Sequence, residues 1–165
     1  MIEINGKNIN LRTMNQKEMR ALWRKYEPEA GSGKTYVYDE QKVDLAFERA
    51  KEREEWNPSV GIFLKNDEVI GELTFIRIVY SESRCELGMF IATEAMRAKD
   101  YDIEAIGLAL KYAKGTMGMK RVYADVSTKN LKLQENLKAN GFLHTKTYKG
   151  GMSDGGDRMS FVAVL

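Results

Sequence analysis

Apolar residues recur along this chain with two different periods, and the changes of period divide it into helices and strands. Residues 16–26 repeat apolar positions every three to four residues, as a helix face does, whereas residues 59–80 alternate apolar and polar positions, as a strand does. The same criteria predict helices after Asn15, from Asp39 to about Trp56, from Ile103 to Met117 and from Leu131 to Asn140. They predict strands in residues 2–11 with a turn at Asn5-Gly6, and in residues 59–65, 69–80, 84–92, 121–126, 142–148 and 158–165.

The order of these elements predicts the topology. The three strands within residues 59–92 follow one another as an antiparallel meander, and one helix then connects residues 84–92 to residues 121–126 as a crossover between parallel strands. The chain is therefore expected to form one α/β domain over residues 1–165, with a mixed, mostly antiparallel sheet of about seven strands. Ligands of such sheets bind where a crossover begins.

Composition narrows the class of protein. The chain has 165 residues and a formal charge of +2, from 26 Lys and Arg against 24 Asp and Glu, so we expect no basic surface for nucleic acid. The single cysteine, Cys85, and the single histidine, His144, exclude a disulfide framework and a Cys/His zinc site, and no metal is expected. Because neither a signal peptide nor a long apolar stretch is recognisable, we expect a cytoplasmic protein without a membrane partner.

Residues 31–35, GSGKT, are similar to the end of a phosphate-binding P-loop. The first glycine of that motif would be Pro28, and a helical pattern precedes the segment where a strand is required. The segment is therefore expected to be a flexible loop.

A stronger candidate follows the strand in residues 84–92, where a polar loop leads into a long helix. The free N–H groups and the positive end of such a helix form an anion site. This part of the chain resembles the GNAT superfamily of acyl-CoA-dependent N-acetyltransferases, in particular the branch of the ribosomal-protein N-terminal acetyltransferases. The resemblance extends over essentially the whole chain and rests on residues 97–102, at the position of the family's Q/R-x-x-G-x-G/A loop, on Glu104-Ala105, on Asn130 and on Gly141-Phe142.

The resemblance implies a GNAT fold, with helices on both faces of the sheet, and a function. Acetyl-CoA, as a co-substrate, would bind between residues 86–91 and 122–126 with its pyrophosphate on the N–H groups of residues 97–102, and an acceptor amine would attack the thioester directly. The acceptor would be a primary amine, of a peptide N-terminus or a small metabolite, and a homodimer is compatible with the pattern. The implied cofactor-binding residues are Met89, Phe90, Ile91, Arg97, Ala98, Lys99, Asp100, Tyr101, Asp102 and Asn130.

Two departures from the family pattern leave a second function open. Asp100 and Asp102 replace the loop glycines, and a carboxylate about 4 Å from a pyrophosphate is repelled by roughly 1 kcal/mol in water and about 4 kcal/mol at an effective dielectric constant of about 20. Arg97 and Lys99 offset part of that repulsion. Leu137 stands where the family often has a tyrosine that protonates the departing thiolate. The alternative to an N-acetyltransferase is therefore a degenerate domain of the same fold, with weak or no CoA binding, that serves as a binding or scaffold module.

The candidates for the proton acceptor are carboxylates on two strands. Glu86 is the first choice for the base that takes a proton from the acceptor ammonium, and Glu72 is the second. Glu86 is equally well placed for a cross-strand ion pair with Arg84 or Arg77.

The other candidates also have structural alternatives. Three residues, Tyr101, Tyr123 and Ser127, are candidates for the general acid because of their neighbourhood alone. Asp102 is expected to cap the helix that follows it, which would occupy the N–H groups that a pyrophosphate needs. Core packing or a surface position is the expected role of the remaining residues, which are Cys85, His144, Trp23, Trp56, Tyr36 and Tyr38.

Overall fold

The segments with alternating apolar residues form a single sheet of eight strands in the computed structural model, which describes residues 1–165. The strands are β1 (Glu3–Asn5), β2 (Ile9–Arg12), β3 (Ser59–Leu64), β4 (Val69–Val79), β5 (Arg84–Ile91), β6 (Arg121–Ser127), β7 (Leu143–Gly151) and β8 (Asp157–Val164). The helices are α1 (Gln16–Arg24), α2 (Glu40–Glu52), α3 (Glu94–Arg97), α4 (Tyr101–Gly115) and α5 (Leu131–Ala139).

The strands are arranged in the order β1-β2-β3-β4-β5-β6-β8-β7. All neighbours are antiparallel except β5 and β6, which are the parallel pair joined by the crossover, so the predicted mixed topology is confirmed. The sheet has eight strands rather than about seven, because the turn at Asn5-Gly6 divides the first predicted strand into two that pair with each other.

Apolar clusters on the two faces of the sheet explain why helices cover both of them, as predicted. The larger cluster joins Phe75 and Phe161 of the sheet to Ile106 of α4 and Leu137 of α5. The smaller cluster packs Leu22 of α1 against residues of β3 and β4. Cys85 belongs to the larger cluster, where burial raises the pKa of its thiol to about 11. This thiol is a buried apolar group and not a nucleophile.

Short polar side chains cap α1 and α2 at the positions where the sequence predicts these helices to begin. Asn15 and Glu18 form a capping box at α1, with two reciprocal hydrogen bonds of 2.9 Å. Asp39 accepts a hydrogen bond from the Lys42 N–H at the start of α2. This second helix ends at Glu52, earlier than predicted, and Trp56 is therefore not a core residue but is 66% exposed.

Helix α4 begins two residues before its predicted start at Ile103 and buries one face against the sheet. Ile106, Leu110 and Ala113 are buried in that face, whereas Ile103 and Gly107 are only partly buried. The same face includes two further alanines, Ala105 and Ala109, and its first turn includes Asp102. Small side chains at these positions allow the helix to approach the sheet closely.

No helix in the structure is both long enough and apolar enough to cross a membrane.

Candidate active site

Strands β5 and β6 separate from each other partway along their length. They pair only over residues 84–86 and 121–123, although β5 continues to Ile91 and β6 to Ser127. Beyond the last pair, Glu86 with Tyr123, a gap opens between the two strands. This gap lies at the start of the crossover, where the topology predicts a ligand.

A cavity of about 240 Å³ lies between the end of β5 and the first turn of α4. Six of the residues predicted to bind the cofactor line it, namely Met89, Phe90, Ile91, Arg97, Asp102 and Asn130. Four others, Ala98, Lys99, Asp100 and Tyr101, are not part of its wall. Sequence reasoning missed Glu29, Ala30, Glu94, Lys132 and Leu133, which also line the cavity. We call this space the first cavity.

The second cavity, of about 300 Å³, adjoins the first along the same gap. Four residues border both spaces, namely Glu29, Met89, Asn130 and Leu133. Ser127, at the end of β6, and residues 152–154, in the loop between β7 and β8, close its other side. The two cavities together form one cleft that crosses the sheet at the separated strands.

The backbone N–H groups of residues 97–102 divide into two sets. Those of Arg97, Ala98 and Lys99 donate to carbonyls within α3 and the residue before it, at 2.9 to 3.1 Å. Those of Asp100, Tyr101 and Asp102 donate to no acceptor of the chain. Because they lie at the positive end of a helix, this second set is available to an anion. The sequence did not predict α3, since four residues are too few for a periodic pattern.

The prediction that Asp102 caps α4 is wrong. The capping position is Asp100, whose side chain makes no capping hydrogen bond, and the helix begins at Tyr101. Asp102 is 8% exposed and accepts hydrogen bonds from the side-chain amide of Asn136 and from the N–H of Ile103. Its carboxylate therefore joins α4 to α5 and leaves the first N–H groups of α4 unoccupied.

Arg97 acts as a structural tie rather than as a free cation. Its guanidinium donates to the carbonyls of Ile91, at 2.8 Å, of Ala92, at 3.3 Å, and of Glu27, and it pairs with Glu94 at 2.6 Å. It fastens the segment after α1 over the end of β5. The hydrogen bond from the Ala30 N–H, together with the pairing with Arg97, holds the pKa of the Glu94 carboxyl below its ordinary value.

The polar groups of the first cavity fit the pyrophosphate of a CoA molecule. Of the three residues with unpaired N–H groups at the start of α4, a helix of 15 residues, Asp102 belongs to this wall, and Asp100 and Tyr101 directly precede it in the chain. Lys132 lines the same wall. The Lys132 ammonium lies 3.4 Å from the Lys99 carbonyl. The negative charge of Asp102 would repel a pyrophosphate at this position. The side-chain amide of Asn136 donates a hydrogen bond to this carboxylate.

Glu86 occupies the apex of the gap. It belongs to the last residue pair between β5 and β6, and its carboxylate forms an ion pair with Arg77. The predicted cross-strand pair is thus present, and Arg77 is its partner. Arg77 lies at an irregularity of β4 with a φ of 49°, a left-handed conformation that arginine adopts rarely. The irregularity turns Arg77 toward Glu86, since regular alternation would direct neighbouring side chains to opposite faces.

Ser127 is held by the loop between β7 and β8. Its hydroxyl donates to Asp154 at 2.8 Å and accepts a hydrogen bond from the Lys129 N–H at 3.1 Å. The same Asp154 carboxylate accepts from the Gly156 N–H, and these bonds hold its pKa below the ordinary value. The network fixes the wall of the second cavity.

The remaining predicted residues lie apart from the cleft or serve to pack it. Tyr101 packs against the main core and borders neither cavity. Leu137 is 2% exposed within the main core. Trp23, Tyr26 and Tyr36 form an aromatic cluster with Phe90, with ring centroids 5.0 to 5.8 Å apart. This cluster contacts the cleft through Phe90, which lines the first cavity, and through Tyr26, which lines the second.

Comparison with known proteins gives one family match. Residues 8–143 match the acetyltransferase (GNAT) domain family. A search of curated proteins finds no significant match.

Solved structures with the same fold cover nearly the whole chain. A ribosomal L7/L12 alpha-N-protein acetyltransferase (RimL) in complex with coenzyme A has 13% identity and a TM-score of 0.86, over 99% of this chain and 98% of that one. A putative ribosomal-protein-serine acetyltransferase from Vibrio cholerae has 13% identity and a TM-score of 0.81, over the same shares. A spermidine N-acetyltransferase chimera from Vibrio cholerae and hSSAT has 15% identity and a TM-score of 0.83, over 96% of both chains.

Proposed function

Since the chain belongs to the acetyltransferase (GNAT) family, we propose that it is an N-acetyltransferase that uses acetyl-CoA to acetylate a primary amine. The observation that carries the proposal is the gap between β5 and β6, which leads to the unpaired N–H groups of α4. Two similar structures are enzymes that acetylate amines, and one of them contains coenzyme A.

The N–H groups of Asp100, Tyr101 and Asp102 would bind the pyrophosphate, with Lys132 as the nearby cation. Acetyl-CoA supplies an acetyl thioester, whose C–S bond breaks as the acceptor nitrogen forms a C–N bond and loses a proton, with CoA as the leaving group. The open edge of β5 at residues 89–91 would orient the reacting groups, because its backbone is not paired across the gap.

Glu86 is the proposed acceptor of the proton from the ammonium, through water, and Arg77 holds its carboxylate in place. For the proton donor to the thiolate, Ser127 is better placed than Tyr101, because Ser127 lines the second cavity. Ser127 would have to release its hydrogen bond to Asp154 in order to donate. A CoA thiol leaves readily as a thiolate, so the reaction tolerates a weak acid at this position.

The test is calorimetric titration of the protein with acetyl-CoA and with CoA, combined with thiol release in the presence of a panel of primary amines. Saturable binding of acetyl-CoA and amine-dependent release of thiol are the expected results. Turnover that is unchanged in Glu86→Gln over the whole pH range would remove Glu86 as the base, without affecting the proposed reaction.

One observation favours the alternative of a binding module without catalysis. The Asp102 carboxylate lines the cavity in which the pyrophosphate would lie. If the wild-type protein binds no acetyl-CoA at millimolar concentration and Asp100→Gly/Asp102→Gly does bind it, the enzyme loses its co-substrate and the module is the correct function.

A further inference from the structure

One carboxylate oxygen in the first cavity holds two groups that belong to different walls of the cleft. Oε1 of Glu94 accepts a hydrogen bond from Nη1 of Arg97, at 2.6 Å, and another from the backbone N–H of Ala30, at 3.1 Å. Arg97 ends α3, beside the proposed pyrophosphate site, whereas Ala30 belongs to the connection between α1 and α2. Movement of this carboxylate therefore affects both walls.

The Glu94 carboxylate occupies the donor that Arg97 could offer to an anion. Nε and Nη2 of Arg97 donate to three backbone carbonyls, which fixes the guanidinium, whereas Nη1 donates to Glu94 alone. The Ala30 N–H and Arg97, with a smaller contribution from the Lys132 ammonium, lower the pKa of Glu94. Both cations of the cavity wall thus act on this carboxylate, as they would on a phosphate.

Charge and exposure decide which group yields when a pyrophosphate enters. Three carboxylates line the first cavity, those of Glu29, Glu94 and Asp102, against the two cations, so further negative charge increases the repulsion. Asp102 is 8% exposed and held by Asn136, whereas the Glu94 side chain is 50% exposed. Glu94 can therefore turn into water, and its donor on the guanidinium can form an equivalent charge-assisted bond with a phosphate oxygen.

The segment that Glu94 holds, residues 30–34, has no other hydrogen bond to a distant part of the chain. Its remaining hydrogen bonds are local and reach at most three residues. Gly31 and Gly33 have φ values of 79° and 67°, and a Cβ at either would meet no atom within 4 Å. The segment contributes Ser32 and Lys34 to the wall of the second cavity. Loss of the bond to Glu94 therefore frees part of that wall.

We propose that Glu94 is a positioning residue that competes with the pyrophosphate for Arg97. While it is bound to Nη1, its carboxylate also holds residues 30–34 through Ala30. A pyrophosphate displaces the carboxylate, the Ala30 N–H loses its acceptor, and the wall of the second cavity becomes free to adjust. This deepens the proposed function and rests on it for the identity of the anion, whereas the bond that holds the segment exists without any ligand.

The experiment measures the exchange of the Ala30 amide proton with water, by NMR on the full ¹⁵N-labelled chain. CoA and inorganic pyrophosphate should each accelerate it about fivefold, the ratio that corresponds to one hydrogen bond of about 1 kcal/mol. Pantetheine, the arm of CoA without its phosphates, should have no effect. The internal reference is the Glu68 amide, which donates to the Asn66 side chain, also at 3.1 Å, in the turn between β3 and β4 and should not respond.

Two substitutions test the competition. Glu94→Gln keeps the shape and removes the charge, so CoA should bind about tenfold more tightly, whereas loss of a merely structural residue would weaken binding. Glu94→Ala removes the acceptor, so the Ala30 amide should exchange fast without a ligand and should not respond to CoA. Glu29→Gln is the matched control, because it removes a charge from the same wall but leaves the bonds of Glu94 to Arg97 and Ala30 in place. In this control the Ala30 amide should respond to CoA as in the wild type.

Three results would overturn the proposal. The first is an Ala30 exchange rate in the wild type that stays constant or falls although calorimetry shows that CoA binds. The second is an affinity of Glu94→Gln for CoA that does not exceed that of the wild type. The third is an Ala30 amide that remains protected in Glu94→Ala. If that variant fails to fold, the first two measurements decide.

Thiol release, measured on the same samples, separates this proposal from the proposed function. Amine-dependent thiol release with an unchanged Ala30 amide keeps the acetyltransferase and rejects the role of Glu94. Accelerated exchange at Ala30 without thiol release keeps the role of Glu94 and rejects the acetyltransferase. If neither the wild type nor Glu94→Gln binds CoA or pyrophosphate, both are rejected.

Discussion

Two carboxylates close to the separated strands, Asp102 and Glu72, are satisfied by the protein in different ways. Asp102 receives hydrogen bonds from Asn136 and from the Ile103 N–H, which makes it part of the contact between α4 and α5. Glu72 has only hydroxyl neighbours, and burial raises its pKa. The difference teaches that a carboxylate which receives an amide and a backbone donor is part of a contact between helices, whereas one that has only hydroxyl donors pays more of its desolvation cost.

The largest effect is expected from Arg97→Ala. It tests how much stability the protein derives from the hydrogen bonds of Arg97, which lines the first cavity together with Asp102. Three carbonyls would lose a charged donor, so the free energy of unfolding should fall by about 3 kcal/mol. Urea denaturation measures the loss. Arg97→Lys keeps the charge but not the fork of donors, and it should be intermediate. A loss below about 0.5 kcal/mol would show that the segment after α1 is held by other contacts.

Asn136→Ala tests the partner of Asp102 directly. Removal of this donor leaves a buried carboxylate with one hydrogen bond, and the free energy of unfolding should fall by about 2 kcal/mol. In an Asp102→Ala background the same change should cost much less, because the pair is already broken. Equal costs in both backgrounds would mean that the two residues are not coupled.

Asp102→Asn separates the effect of charge from that of shape at the cofactor cavity. The amide keeps an acceptor for Asn136 and removes one negative charge near the proposed pyrophosphate, so acetyl-CoA should bind about tenfold more tightly. Calorimetry at low and high salt checks that the gain is electrostatic, since salt reduces it. Unchanged affinity would place the pyrophosphate away from this carboxylate.

Glu72→Gln should have the smallest effect on stability. Unlike Arg97→Ala and Asn136→Ala, it should stabilise the protein. Because the pKa of Glu72 is higher in the folded than in the unfolded chain, the folded state holds the extra proton, and stability falls as pH rises from the unfolded through the folded pKa. The variant should therefore gain up to about 1 kcal/mol at about pH 8 and lose this advantage at about pH 4. Urea midpoints at the two pH values measure it. Destabilisation at about pH 8 would show that Glu72 is a structural residue like Asp102.

The sequence predicted the elements better than their ends. The helix starts at Asn15 and Asp39 were predicted correctly, because an N-cap depends on residues within one turn of it. Asp102 was misassigned by two positions, since Asp100 and Asp102 are both suitable caps in sequence and only tertiary contact with Asn136 distinguishes them.

The candidate site was predictable only in part. Its location at the crossover follows from topology, and six of the ten expected cofactor-binding residues line the first cavity. Glu29 and Lys132 had no detectable signal, because they reach the cleft from segments far apart in the chain. The structural role of Arg97 could not be predicted from the sequence either. Its main partners are backbone carbonyl oxygens, and because every residue has one, they leave no signal in the sequence.

By itself the sequence determined a mixed sheet with one crossover, because periodicity and element order are local properties of the chain. It also determined the family resemblance through residues 97–105 and 141–142. Helices on both faces were implied by that family resemblance. Only the tertiary structure decided which charges are satisfied. Whether a carboxylate such as Asp102 or Glu72 has a partner depends on donors brought to it from other elements, and that depends on packing rather than on the sequence around it.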